Sequence, residues 1–347
     1  MADYAQILEF IGKFSYIFTN SDYIQTQLKK KTSLKLISRI VEESNKKPGE
    51  VLVLFLSAVK YLWGNRQGNV FNVLEETDSF QEFVKSNQDE IIEMSVRKTL
   101  QANLPERALP LFEIFNKKWT ASTPYKGIEI GKNDRDEEKF CSKNKLLQGI
   151  NKKTKDSPIA VIDLGASYGM VGQCLLEPSR IIKKKNRYLL PGQKIPQNPR
   201  AVDYYLGIEL DPPDKEWLFA CLWKSEDELR IKNFINEIPR ENEKFQLIEA
   251  SAFGFSALEP VKRLTTQPLT VVVLTSFLFF QIGEEKQKKL KDEILMFVDS
   301  TGAHWINQTF KPSPSSRDKK SEYFIEWNGK KIIELHDDWC SDWRWVQ

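Results

Sequence analysis

Apolar residues recur at helical spacing from the start of the chain, at Ile7, Phe10, Ile11, Phe14 and Ile17 and again at Leu34, Leu36, Ile37 and Ile40. Pro48-Gly49-Glu50 opens a further apolar segment through Trp63, which Gly64 to Gly68 ends, and Phe80 to Leu100 resumes the helical period. From Thr120 to Ser157 the pattern turns polar and lysine-rich and reads as a linker. Beyond it the period changes. Ile159 to Asp163, Val202 to Leu210, Phe245 to Glu249, Leu269 to Thr275 and Ala303 to Phe310 are short, β-branched or aromatic runs separated by helical segments, the alternation of a mostly parallel α/β sheet. Glu322 to Leu335 is two alternating runs joined by Asn328-Gly329, the strongest short hairpin signal. The pattern divides the chain into a helical N-terminal domain (1–125), a linker (126–157) and a sheet domain (158–347).

The first strand leads into the candidate chemistry. Asp163-Leu-Gly165-Ala166-Ser167-Tyr168-Gly169 is an acid at a strand's exit, then two glycines four residues apart, then a helix. Residues without Cβ let a loop turn sharply and set amide groups against a ligand. The spacing Asp-x-Gly-x-x-x-Gly resembles the S-adenosylmethionine (SAM) loop of Rossmann-like methyltransferases. A nicotinamide loop needs glycine where Ser167 stands. A carboxylate ending the second strand of such a sheet holds ribose hydroxyls, which selects Glu209, with Asp211 two residues on as the alternative. Ser251 follows the third strand, beside the expected adenine position, and Thr275 and Ser276 close the fourth, Thr275 toward the cofactor and Ser276 toward a substrate. Gln101, Asn103 and Arg107 surround a proline-broken helix boundary where a substrate would be gripped. No catalytic base is singled out; His304 and His336 are the two histidines.

Composition narrows the partners. The 347 residues are 41% hydrophobic and 29% charged, enough for a sizeable core. A net charge of +3 and pI near 8.4 do not call for nucleic acid. The four cysteines form no Cys-x-x-Cys pair, so neither a zinc site nor a disulfide framework is expected. The N-terminus lacks the features of a signal peptide and no apolar run is long enough to span a bilayer, giving the expectation of a cytoplasmic protein without membrane contact.

Taken together, Arg97, Gln101, Asn103 and Arg107, the loop Leu164 to Gly169, and Gly207-Ile-Glu-Leu-Asp-Pro212 followed by Trp217-Leu and Trp223 resemble the uncharacterised bacterial family known as domain of unknown function twenty-three thirty-two. The chain departs from that pattern at Leu104, where the family has an acid, and at Trp223-Lys224, where it has Trp-Pro. The resemblance implies a Rossmann-like methyltransferase sheet with a helical N-terminal domain and no assigned reaction. The expectation is a SAM-dependent methyltransferase acting on a small molecule or peptide; the alternative is an inactive SAM- or nucleotide-binding scaffold.

Overall fold

The computed structural model describes residues 7–8, 11, 21–44, 46, 48–67, 77–100, 105–119, 157–178, 199–211, 214–222, 225–237, 243–311, 322–335 and 343–346. Gln101, Asn103 and His336 lie outside the described residues, as do nearly all of the expected linker and the basic, proline-containing stretch 181–198.

The described residues include eight strands in one sheet: β1 (Ile159–Leu164), β2 (Tyr204–Glu209), β3 (Phe245–Glu249), β4 (Thr270–Ser276), β5 (His304–Lys311), β6 (Glu322–Trp327), β7 (Lys330–Leu335) and β8 (Trp343–Trp345). Their order is β3-β2-β1-β4-β5-β6-β7-β8. The first five of that order pair in parallel, and β6, β7 and β8 continue antiparallel. The fold is therefore α/β, mostly parallel with a C-terminal antiparallel hairpin. β1 and β4 sit at its centre, and every residue of both is buried, as continuous apolar runs require. Asn328 and Gly329 take φ of 47° and 79°, the two positive values of the tight hairpin turn that the sequence predicts. The Asn328 carboxamide oxygen also accepts from the Trp305 amide at 2.7 Å, fixing the hairpin to β5. The segment after the hairpin supplies β8, paired with β7.

Strand alternation sorts the side chains onto two faces. Ile162, Leu164, Leu206, Ile208, Val273 and Trp305 pack with α10 (Glu259–Thr266) and α11 (Glu284–Thr301) through Val261, Leu290, Ile294 and Phe297. By the paired register, Asp163, Tyr205, Gly207, Glu209, Leu274, Ser276 and Gln308 belong to the opposite face. That face carries α7 (Met170–Leu176), which approaches closely enough that a Cβ on Gly172 would sit 2.3 Å from the Tyr205 ring.

Contacts divide the chain differently from the expected boundaries. One compact unit is Met1–Asn103 with Asp211–Pro239; the other is Leu104–Leu210 with Arg240–Gln347. The helical unit contains α1 (Ser21–Leu28), α2 (Lys31–Ser44), α3 (Pro48–Gln67), α4 (Thr77–Ser86), α5 (Gln88–Arg97) and the crossover helices α8 (Lys215–Ala220) and α9 (Ser225–Glu237). The physical reason lies in α8. Trp217, Ala220 and Cys221 join the core of Ile37, Ile40, Phe55 and Ile91, and the Trp217 indole donates to the Thr99 carbonyl at 2.8 Å. The 3₁₀ turn Pro105–Ala108 and α6 (Leu109–Trp119), expected in the helical domain, belong to the sheet unit.

Lys60 interrupts the apolar run of α3 and is only 5% exposed. Its ammonium donates to the carbonyls of Phe219 at 2.8 Å and Leu222 at 2.5 Å at the end of α8, the first of which also accepts from the Leu222 amide at 3.2 Å. Lys60→Met is expected to lower stability by about 1–3 kcal/mol, because a methionine of similar length removes the donor and leaves those buried carbonyls short of a partner. Urea unfolding measures it; a loss below about half a kcal/mol would show that the two bonds contribute nothing net.

Candidate functional site

Four apolar positions drive β1 into the sheet centre and bring Asp163 with them. Its carboxylate is fully buried; one oxygen, Oδ2, accepts from the Tyr205 hydroxyl at 2.6 Å, and Oδ1 has no hydrogen-bond partner. Burial pushes the Asp163 carboxyl up to about 7, against the Tyr205 hydrogen bond that favours its charged form; the Glu209 charge raises it further and Arg107 opposes. The Tyr205 phenol is pushed well above its ordinary value by burial and by the neighbouring Asp163.

The loop after β1 is held by backbone bonds to β2: the amides of Gly165 and Ala166 donate to the Ile208 carbonyl at 2.9 and 3.2 Å. Gly165, Ser167 and Gly169 all take positive φ, 76°, 53° and 75°. Two of these positions are glycines for that reason. Serine in this conformation costs about 1–2 kcal/mol, and the Ser167 amide offsets it by donating to Glu209 Oε2 at 2.6 Å, a charge-assisted bond. Glu209 Oε1 accepts from the Leu210 amide at 2.9 Å.

The glycines do less for a ligand than the motif suggests. A Cβ on Gly165 would meet Leu278 Cδ1 at 3.0 Å, and one on Gly169 would meet Phe245 Cζ at 2.7 Å. Their bare Cα atoms thus face protein, and the positions are explained by positive φ and close packing. What the site offers a ligand is two buried polar atoms without partners, Asp163 Oδ1 and Ser167 Oγ, beside the Glu209 carboxylate, which accepts from the amides of Ser167 and Leu210. That donor and acceptor set fits the polar ends of SAM, an ammonium and a ribose diol.

The other expected site residues separate. Arg107 lies on this side of the sheet: the 3₁₀ turn packs against α7, its guanidinium carbon stands 4.2 Å from the Phe277 ring centroid, and its carbonyl accepts from Gln308 Nε2 at 2.8 Å. Ser276 donates to Gln308 Oε1 at 2.5 Å, so its hydroxyl orients the residue that holds Arg107. Thr275 is one position earlier and faces the other way. Its hydroxyl donates to Asn307 Oδ1 at 2.9 Å and accepts from the Trp305 indole at 3.0 Å, on the face of α10 and α11 and away from Asp163 and Glu209. Strand alternation is the cause. Asp211 lies past the end of β2, in the helical unit, where Oδ2 accepts from the Thr99 amide and hydroxyl at 3.0 and 3.1 Å. Ser251 is exposed beyond β3, and its hydroxyl accepts from the Phe253 amide at 3.1 Å. His304 begins β5, at the end of the parallel sheet opposite to the loop, with its ring 4.9 Å from that of Trp327. Tyr205, Phe277 and Gln308 were not foreseen. Tyr205 alone carried a signal, two positions before the glycine that pairs with Asp163.

No protein-family model and no curated protein matches the chain. The likeness to the uncharacterised family therefore stays a likeness of motifs. Among solved structures the chain is similar to a candidate class I S-adenosylmethionine-dependent methyltransferase of Listeria monocytogenes, with 10% identity over 77% of this chain and 75% of that one and a TM-score of 0.23. At that score the likeness carries no weight for the site. Among the described residues no cluster of three metal-ligating side chains occurs, and no helix is long and apolar enough to cross a membrane.

Proposed function

We propose that this chain is a SAM-dependent methyltransferase acting on a small molecule or peptide. The observation that supports it best is the unpaired, buried Asp163 Oδ1 at the exit of the first strand, on the same face as the Glu209 carboxylate that ends the second. SAM supplies an activated methyl group, so the protein's own contribution is to bind and align. In this reading Asp163 accepts from the cofactor's ammonium and Glu209 from its ribose, while Ser167 holds Glu209 in place.

A binding protein without methyl transfer is the second reading. It is favoured by the commitment of the Thr275 and Ser276 hydroxyls to neighbouring side chains and by the position of His304 at the far end of the sheet. Calorimetry with S-adenosylhomocysteine is expected to give saturable binding to the wild type and at least tenfold weaker binding to Glu209→Ala. Absence of heat with the wild type would defeat both readings. Transfer of label from SAM to components of a cell extract separates them, since a methylated product is made only under the first.

A further inference from the structure

A polar cleft opens at the other end of the parallel strands, on the face away from Asp163 and Glu209. Tyr204 begins β2 and lines it, about 16 Å along the strand from Glu209, which ends β2. Two walls form the cleft. From the sheet come Tyr204, Leu206 and Gln246; the register pairs Leu206 with Gln246, and alternation turns all three toward α10. From α10 and the residue after it come Pro260, Arg263, Leu264 and Gln267, spaced i, i+3, i+4 and i+7 on one side of the helix. Together they enclose about 150 Å³, which suits one six-membered ring with small substituents.

The polar groups around this space are uncommitted. Among the described residues, the side chains of Tyr204, Gln246, Arg263 and Gln267 make no hydrogen bond or ion pair. Glu259 stands one helical turn before Arg263, at a spacing that ordinarily supports an ion pair, yet the two do not pair. Tyr204 leaves 37% of its surface open. Leu206 and Leu264 belong to the apolar core of that face, so the floor is apolar and the hydrogen-bonding groups stand around it, the ordinary build of a small-molecule site. Charge narrows the ligand. Arg263 and Lys244 are positive and Glu243 is negative, a balance of one positive charge that suits a monoanion.

We propose that this cleft binds a small aromatic carboxylate, its ring against Tyr204 and its carboxylate on Arg263. Aromatic rings gain from offset or edge-on contact, which the open side of Tyr204 offers. A guanidinium takes a planar carboxylate through two parallel N–H bonds. Gln246 and Gln267 each bring a donor and an acceptor for a ring substituent such as a hydroxyl. The site is separate from the one assigned to the cofactor and does not depend on that reading.

Ligand-observed NMR on the full chain tests this with 4-hydroxybenzoate and with 4-hydroxybenzamide, which has nearly the same shape and no charge. The wild type is expected to bind the acid saturably at about 1 mM or tighter, as a ligand of about ten non-hydrogen atoms allows, and the amide about fivefold or more weakly. Arg263→Gln is expected to bring the acid down to the level of the amide and to leave the amide unchanged, with Arg263→Lys between. Tyr204→Ala is expected to weaken both. Arg263 and Tyr204 are exposed, so these substitutions leave the core intact. No saturable binding of the acid by the wild type, equal affinity for acid and amide, or unchanged affinity for the acid in either variant would each overturn the proposal. So would displacement of the acid by S-adenosylhomocysteine, which would put it in the site beside Asp163.

Discussion

Asp163→Asn is expected to make the protein more stable than the wild type above pH 7 and no more stable below about pH 4. The sign follows from linkage. In the unfolded chain the carboxyl ionises near its ordinary value, whereas burial holds it up to about 7 in the folded protein. Between those values the folded state keeps a proton that the unfolded state has lost, so wild-type stability falls as pH rises through the window and levels off above it. Asparagine has nearly the same shape, can still accept from Tyr205, and does not ionise. It brings two amide hydrogens to a place with no acceptor, which costs about 1–3 kcal/mol at every pH. The difference between variant and wild type should therefore change by on the order of 3–4 kcal/mol from about pH 4 to pH 8, at about 1.4 kcal/mol per pH unit across the window. Urea midpoints at several pH values read it. Parallel curves for the two proteins would mean that Asp163 is already ionised in the fold at low pH.

Under the function proposed above, the same destabilisation has a use. A carboxylate that is uncomfortable when charged and unpaired gains from any cation set against its open oxygen, so ligand binding and ionisation of Asp163 support each other. Under that proposal, S-adenosylhomocysteine binding measured by calorimetry is expected to strengthen with pH up to about 7 and to release a proton, and binding that does not change with pH would count against it. Tyr205 keeps the carboxylate aimed while it waits, through the 2.6 Å bond to its other oxygen.

How much of this could be read beforehand differs from residue to residue. β1, β2, β4 and the Asn328-Gly329 hairpin were plain, because their signals are local: a run of apolar residues, an acid before a glycine, a turn requiring positive φ at two positions. The sequence could not orient Thr275, whose hydroxyl faces away from Asp163 and Glu209, for a physical reason. β4 is apolar on both faces, so its sequence has no alternation to show which of two neighbouring hydroxyls points where, and only pairing with Asn307 and Gln308 decides it. The unit boundary was hidden for another reason. A crossover helix is expected to cover the sheet, and nothing near Trp217 shows that its partner is a core more than a hundred residues earlier in the chain. Lys60 breaks the apolar run of its helix, and only carbonyls more than 150 residues away in the chain account for it.

Gly172, just beyond the glycine loop, acts in packing. Gly172→Ala is expected to lower stability by about 1–3 kcal/mol or more, although alanine favours a helix over glycine by about 1 kcal/mol. A Cβ there would lie 2.3, 2.4 and 2.5 Å from Cζ, Cε1 and Cδ1 of Tyr205, far inside contact distance. The ring cannot swing aside: it is 2% exposed, stacked on Phe245 at 5.3 Å between centroids, and tied at its hydroxyl to Asp163. The helix has to lift from β2 instead, taking the loop with it. Gly254→Ala is the control, with φ of 76° but nothing within 4 Å, so only the left-handed backbone term of about 1–2 kcal/mol applies. The decisive measurement is a double-mutant cycle with Tyr205→Ala. Once the ring is gone, its clash with alanine at 172 is removed and alanine's helix preference counts in its favour, so the two substitutions couple strongly. An equal loss from Gly172→Ala in both backgrounds would show that the ring is not what α7 rests on.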